Sequence, residues 1–425
     1  MVNKLKKIPP EFKKLLKVTS RLSRDLGYDI YLVGGIVRDL ILERGVFDLD
    51  IVVQGDAIKL AEKLSKKLKV DFVRHHSFGT ATVAWKGHKI DFALARTEKY
   101  SHWGALPKVK PASLAEDLLR RDFTINAMAI SLSQEDYGRL VDLYGGMSDL
   151  KKGLIRVLHQ NSFLEDPTRI LRAIRFQQRF GFKLQTQTFL LLKQALKKKA
   201  LIWVNPHRLR DELILILKEP KPCGYIRKID QLTRFHFLSP RLKLTDSDFK
   251  LCKRISQVLQ YYQQDNRLPR QPQGWLIYLA AILKGLSFKA IEKVLDDFAF
   301  KKGERMIVIS IRKGLLKAKK LKLLASPKAV YCFLNPYSLE AILFFYAFYP
   351  QIRLRRNIEY FLAELIHKRT ELNGHDLKAL GLEPSRLYGR IFKSLIYAKI
   401  TKGLKTKSEE VKEARSILRR LTREK

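Results

Sequence analysis

The sequence predicts an α+β protein, with a head of α/β pattern followed by an all-helical remainder, and three observations predict it. β-rich apolar runs recur at 29–33, 47–53, 81–85, 89–95 and 125–131 and then cease. A single amphipathic helix, Asp56 to Leu68, lies among them with Ile58, Ala61, Leu64 and Leu68 on one face. From Asn161 onward the apolar residues follow helical periodicity to the end, interrupted only at prolines such as Pro206, Pro220, Pro269, Pro327, Pro350 and Pro384. No internal repeat is evident. These shifts divide the chain into an N-terminal basic segment (1–24), a head (25–156), a helical neck (157–240) and a helical body and tail (241–425).

Composition narrows the partners. Among 425 residues, 83 Lys plus Arg stand against 42 Asp plus Glu, a net charge of +41. So large an excess repels itself in a compact fold unless a polyanion is a normal partner, so nucleic acid leads and an anionic membrane surface is second. The longest apolar run, Leu339 to Tyr349, contains Glu340 and is too short to span a bilayer. Cys223, Cys252 and Cys332 are too widely spaced for a zinc knuckle, and three is an odd number for a disulfide framework. With no apolar signal region near Met1, the expectation is a cytoplasmic protein with no membrane partner.

Two aspartates carry the first chemical signal. In Phe47-Asp48-Leu49-Asp50-Ile51, the period of a strand points Asp48 and Asp50 to one face and the apolar residues to the other. That is a divalent-metal platform. Just before it, Gly34-Gly35 lies between a predicted strand and a predicted helix from Ile36 to Glu43, where free N–H groups approach a phosphate chain. A triphosphate beside two metal-binding carboxylates points to nucleotidyl transfer. Asp91, in the apolar strand 89–95, is a candidate third carboxylate. In Arg121-Asp122-Phe123-Thr124-Ile125-Asn126, Arg121 is a candidate for phosphate or ribose, Asp122 for holding an arginine in place, and Asn126 for the ribose.

The second signal is Glu165-Asp166-Pro167-Thr168-Arg169-Ile170-Leu171-Arg172-Ala173-Ile174-Arg175. At about 100° per residue, Arg169, Arg172 and Arg175 share one arc of a helix and Ile170, Leu171, Ala173 and Ile174 cover the other. Asp166 accepts from an exocyclic amine while a guanidinium donates to ring acceptors, a pairing that fits cytosine and adenine and opposes guanine and uracil. A solvated basic face would not account for the acid that precedes the stripe.

Gly34-Gly35-Ile36-Val37-Arg38-Asp39, Asp48-Leu49-Asp50, Arg121-Asp122-Phe123-Thr124-Ile125-Asn126-Ala127, Asp142-Leu143-Tyr144-Gly145-Gly146 and Glu165-Asp166-Pro167-Thr168-Arg169 together resemble the ordered motifs of the bacterial class II tRNA nucleotidyltransferase and poly(A) polymerase family. The resemblance runs from about Tyr28 to Pro240, with a weaker tail element at Gly374 to Gly381. It implies a polymerase-β-like nucleotidyltransferase head with a mixed sheet, followed by all-α neck, body and tail domains that hold the acceptor arm of tRNA. It implies that Asp48 and Asp50 bind Mg²⁺, with Asp91 joining them in catalysis. Gly34, Gly35, Arg38, Arg121, Asp122, Asn126, Arg172 and Arg175 would surround the nucleotide, and Asp166 and Arg169 would form a protein template. The stretch from Arg96 to Glu116 resembles the family's mobile loop, a candidate gate for a switch from C to A. The implied activity is template-independent addition or repair of the 3′-terminal CCA of tRNA, or of its CC or A part, from CTP and ATP with release of pyrophosphate.

The alternative within the family is a poly(A) polymerase. A non-catalytic RNA-binding protein on a decayed head is opposed by the intact Asp48, Asp50 and Arg121. A phosphohydrolase built on His375-Asp376 lacks further ligands at suitable spacing, and Asn373-Gly374 reads more simply as a turn before a helix capped by Asp376.

Overall fold

The computed structural model describes residue 5 and residues 8–45, 48–263 and 268–423. The chain forms two compact units, residues 1–216 with 231–233, and residues 217–230 with 234–425.

The first unit begins with helix α1 (Pro10–Arg24), then β1 (Asp29–Val33), α2 (Gly35–Ile41), β2 (Leu49–Gln54), α3 (Ala57–Leu68), β3 (Phe72–His75), β4 (Thr80–Trp85) and β5 (His88–Leu94). A hairpin of β6 (Arg96–Lys99) and β7 (Lys108–Pro111) leads to α4 (Leu114–Leu119), β8 (Ala129–Ser131), β9 (Leu140–Val141) and α5 (Gly146–Lys152). Seven strands form one sheet in the order β3-β4-β5-β2-β1-β8-β9. The β2–β5 pair is parallel and the remaining pairs are antiparallel, so the sheet is mixed as expected. Leu49 and Ile51 of β2 are buried, which turns Asp50 between them to the opposite face, with Asp48 immediately before the strand. Asp56 caps α3 by accepting from the Lys59 N–H at 2.9 Å.

The structure refines the sequence expectations at three places. Phe47 lies outside the described residues. The strand expected over 125–131 begins only at Ala129, because Thr124–Asn126 forms a 3₁₀ turn whose N–H groups bond to Arg156 and Phe123 carbonyls. The stretch from Arg96 to Glu116, expected to resemble a loop, runs as the β6/β7 ladder joined by the turn at 100–107 and leads into the start of α4. Asp142 accepts from the Gly146 and Met147 N–H groups at 2.7 and 2.9 Å and so starts α5. A Cβ on Gly146 would lie 2.3 Å from the Thr124 carbonyl oxygen, so only glycine allows α5 to press on the 3₁₀ turn.

The helical part of this unit comprises α6 (Ser162–Glu165), α7 (Thr168–Phe180), α8 (Thr186–Lys197) and most of α9 (Pro206–Leu217), with a 3₁₀ turn at Ala200–Trp203. A short parallel pair, β10 (Leu154–Ile155) with β11 (Lys183–Leu184), fixes the ends of α7 relative to the head.

Among its described residues the second unit has helices as its only regular elements, joined by turns. Its C-terminal helices, Gly374–Ala379, Arg386–Lys402 and Lys407–Arg423, close on Leu377, Ile391, Leu395 and Ala414. Asn373 is the cap of the first, accepting from His375 and Asp376, and Asp376 returns the bond to the Asn373 N–H, so the cap is reciprocal. Among the described residues no helix is long and apolar enough to cross a membrane. The most telling residue of this unit is Glu340, fully buried in the apolar helix Leu339–Phe348. It accepts from both terminal nitrogens of Arg270 at 2.6 and 2.7 Å and from the Gln273 N–H at 2.9 Å. Glu340→Ala removes three charge-assisted bonds, and because Arg270 reaches solvent the expected loss is modest, about 2 kcal/mol in urea denaturation. An unchanged midpoint would show that the pair holds nothing together.

Candidate active site

A cleft of about 770 Å³ in the first unit is lined by most of the residues singled out from sequence, among them Gly34, Gly35, Arg38, Asp48, Asp50 and Arg121. Asp122, Asn126, Asp166, Arg169, Arg172 and Arg175 line it as well. Asp91 does not. It lies opposite Asp50 in the parallel β2–β5 register, on the same sheet face, and its carboxylate accepts from the Thr82 hydroxyl.

Asp48 is exposed and Asp50 half-buried. Burial pushes the Asp50 carboxyl up to about 6; Arg121 opposes this, and the like charges of Asp91 and Asp48 add to it. A divalent cation would relieve that repulsion, and carboxylate oxygens are the hard donors that such an ion prefers. Among the described residues no three His, Cys, Asp or Glu side chains form a ready-made cage. An ion here would therefore complete its shell with phosphate oxygens and water, as magnesium commonly does.

Gly34 precedes α2 with φ +72°, and a Cβ there would sit 2.9 Å from Nη1 of Arg121. The glycine thus serves the close approach of a guanidinium to the helix entrance. Arg121 is fixed from behind by Asp117, whose fully buried carboxylate also accepts from Arg120 and the Arg96 N–H. The Nε of Arg121 and that of Arg175 are buried donors with no hydrogen-bond partner among the described residues. Arg38 is clamped by both carboxylate oxygens of Asp39 at 2.9 Å and by Asn126 Oδ1 at 2.5 Å, and its guanidinium lies over the rings of Phe176 and Phe180.

The arginine stripe of α7 is withdrawn from solvent at Arg169 and Arg175 and half-buried at Arg172. Arg169 and Arg175 are 4% and 7% exposed. Arg172 donates to Asp122 Oδ2 through Nε at 2.8 Å and to Glu212 through Nη1 at 2.9 Å, and Arg175 donates to the other Glu212 oxygen at 3.0 Å. Asp122, expected to hold an arginine, holds Arg172, and it also accepts from Asn126 and from the Phe123 N–H. Burial alone would push the Asp122 carboxyl up, but Arg172 and the Asn126 amide outweigh it and bring it to about 2.

Asp166 and Arg169, expected to read a base together, each have a protein partner here. Arg169 is turned to Ser162 Oγ and the Arg120 carbonyl, at 2.5 and 2.6 Å. The guanidinium on Asp166 belongs instead to Arg208 of α9, at 2.8 Å. That ion pair, the Thr168 N–H and the Thr168 hydroxyl all fall on Oδ1 of Asp166. Sequence reasoning missed Arg208 and Glu212. They stand four apart on one helix, a spacing that reads as a local ion pair, yet each pairs with a residue far away in sequence.

With this geometry in view, comparison places the chain among known proteins. Residues 30–156 match the Poly A polymerase head domain family. An A-adding tRNA nucleotidyltransferase of Geobacter sulfurreducens is 32% identical over 94% of this chain, and one of Halalkalibacterium halodurans is 33% identical over 88% of this chain and 85% of its own length. The chain spans only 46% of the Geobacter protein, less than half of it. A Thermotoga maritima CCA-adding enzyme complexed with tRNA superposes with a TM-score of 0.72 at 30% identity, over 98% of this chain and 97% of that one.

The Asp122 pair yields a signed expectation. Its carboxyl is lowered by folding, so it contributes stability that is present above the unfolded value near 3.8 and fades as pH falls towards about 2. Asp122→Ala leaves Arg172 with Glu212 alone and costs about 3 kcal/mol at pH 7. In urea denaturation the gap between wild type and variant closes as the pH is taken from 5 to 2; a gap constant with pH would contradict the assignment.

Proposed function

The chain belongs to the bacterial tRNA nucleotidyltransferase and poly(A) polymerase family, and from that premise we propose that it adds nucleotides to the 3′ end of tRNA without a nucleic-acid template, releasing pyrophosphate. The observation that carries the proposal is the single cleft in which Asp48 and Asp50, the Gly34-Gly35 helix entrance and the base-reading candidate Asp166 all meet.

In this reading the triphosphate lies along Gly34 and Gly35 at the entrance of α2, where the Arg121 guanidinium lines the cleft; the Gly34 N–H itself is engaged by the Met128 carbonyl. Arg38, locked by Asp39 and Asn126, presents a fixed charge beside it, and a fixed donor costs no reorganisation during the reaction. Asp48 and Asp50 would hold magnesium, which when bound would lower the pKa of the attacking 3′-hydroxyl and neutralise the leaving pyrophosphate. Asp91 sits one strand away and would act by keeping negative charge near Asp50 rather than by touching the nucleotide.

Asp166 would read the base. Its Oδ1 is occupied by three donors, so Oδ2 is the acceptor for an exocyclic amine of adenine or cytosine. The matching donor would be Arg208, which already lies against Asp166, or Arg169 after release from Ser162. Asp122 and Glu212 hold Arg172 and Arg175 as a rigid wall behind this reading pair.

Of the possible additions, we favour the terminal adenosine from ATP, because relatives matching 94% and 88% of this chain are A-adding enzymes. Addition of CC or of all three nucleotides with CTP is the broader form of the same reading, and solved CCA-adding enzymes bound to ATP and to CTP share the fold at TM-scores of 0.75 and 0.74 and 30% and 31% identity, each over 98% of this chain and 97% of that chain. Poly(A) polymerisation is the second reading, favoured by the name of the matching head family.

The test is a product ladder on tRNA ending before CCA and on tRNA ending in CC, with ATP and CTP separately and together. A single adenosine on the CC-ended tRNA is the expected result, and its loss by at least 10³-fold in Asp48→Ala and Asp50→Ala follows if these carboxylates carry the reaction. A ladder that lengthens without limit would favour the poly(A) reading, and normal turnover by Asp48→Ala would sink the metal assignment.

A further inference from the structure

Two tryptophans stand exposed beside the cleft. Trp103, at the tip of the β6/β7 hairpin, and Trp203, in the 3₁₀ turn after α8, are 40% and 56% exposed, and their neighbours Leu106 and Ile202 are 63% and 65% exposed. A soluble surface rarely leaves so much aromatic and aliphatic area together unless something covers it.

The pair is built rather than incidental. Gly104 has φ +72°, and a Cβ on it would lie 2.8 Å from the Trp203 carbonyl oxygen, so the glycine lets the hairpin tip rest directly on the turn that carries the second indole. The Gly104 N–H bonds to the Glu165 carbonyl at 3.2 Å, and Arg208 donates to the Gly104 and Ala105 carbonyls at 3.3 and 3.4 Å while it pairs with Asp166. The ammonium of Lys198 lies 5.0 Å above the Trp103 ring, and Lys197 and Lys199 beside it are exposed.

Its position sets the occupant. Pro107 lines the cleft and stands four residues from Trp103, at most about 14 Å of chain. That span suits a few stacked nucleotides at ~3.4 Å each. Indole faces stack on any base, and the neighbouring ammonium groups suit the phosphates between them. A protein partner would meet the same apolar area, but the cationic rim and a net charge of +41 favour a polyanion.

We propose that Trp103 and Trp203 form a stacking platform for the unpaired 3′-terminal nucleotides of the RNA whose end enters the cleft. The platform rests on the reading of the cleft as a site of RNA 3′-end extension, and it deepens that reading by placing the bases that precede the growing end.

The test measures binding without reaction. Full-length protein is titrated, in the absence of nucleotide, against two RNA hairpins with the same stem, one blunt and one bearing a three-nucleotide 3′ overhang, followed by fluorescence anisotropy. Wild type binds the overhang RNA more tightly. The double variant W103A/W203A loses that preference by roughly 10- to 100-fold while its affinity for the blunt hairpin is unchanged, and W103F/W203F retains it because a phenyl ring still stacks. An overhang preference that survives in the alanine variant, or is lost equally in the phenylalanine variant, overturns the platform. Neither result depends on nucleotide transfer, so failure here leaves the product ladder standing, and a wild-type protein that binds the overhang yet extends nothing overturns the transfer reading instead.

Discussion

The buried ion network of Asp122, Arg172, Glu212 and Arg175 is the constraint on which the cleft depends. Asp122 follows the head strands' α4 connection, the two arginines lie on α7, and Glu212 lies on α9, so three separate parts of the first unit are tied through one set of charges. Arg172 and Arg175 meet this burial with carboxylate partners, since a lone buried charge would cost several kcal/mol, whereas Arg169 relies on the neutral acceptors Ser162 Oγ and the Arg120 carbonyl. The consequence is directional. With α7 pinned by its arginines, Asp166 at its entrance is held within the same cleft as Asp48 and Asp50.

The network also decides where the chain's positive charge is available. The cleft is lined by seven arginines and seven carboxylates, so it is balanced although the chain carries +41. Positive charge in the cleft is therefore ordered rather than in excess, and it serves position more than attraction. The surplus lies on other surfaces, including Lys197 to Lys199 beside the paired tryptophans, where a polyanion's backbone gains most from it.

How much of this was legible in sequence follows from how local each signal is. Strand alternation around Asp48 and Asp50 and the glycine pair before α2 depend on neighbours a few residues away, and the structure carries Asp50 on β2, Asp48 just before it and the glycines at the entrance of α2. The helical register of Arg169, Arg172 and Arg175 was equally local, but their partners were not. Nothing near Arg172 in sequence announces Glu212, forty residues on, and nothing near Asp166 announces Arg208. The hairpin of β6 and β7 was illegible for another reason, since its residues are mostly charged or exposed and lack alternation, and its order comes from the ladder and the contacts of its tip. Edge strand β3, largely solvent-facing, escaped for the same reason.

The central claim is that a protein carboxylate, held by this network, chooses the base. The most direct measurement is the rate of incorporation of each of the four nucleotides onto one tRNA by wild type and by Asp166→Ala. If Asp166 reads the base, wild type prefers adenosine or cytidine over guanosine and uridine, and the variant loses that preference by on the order of 10- to 100-fold, the value of a good hydrogen-bonded base contact. A variant that is slower but keeps the wild-type preference would contradict the account and move base selection away from Asp166.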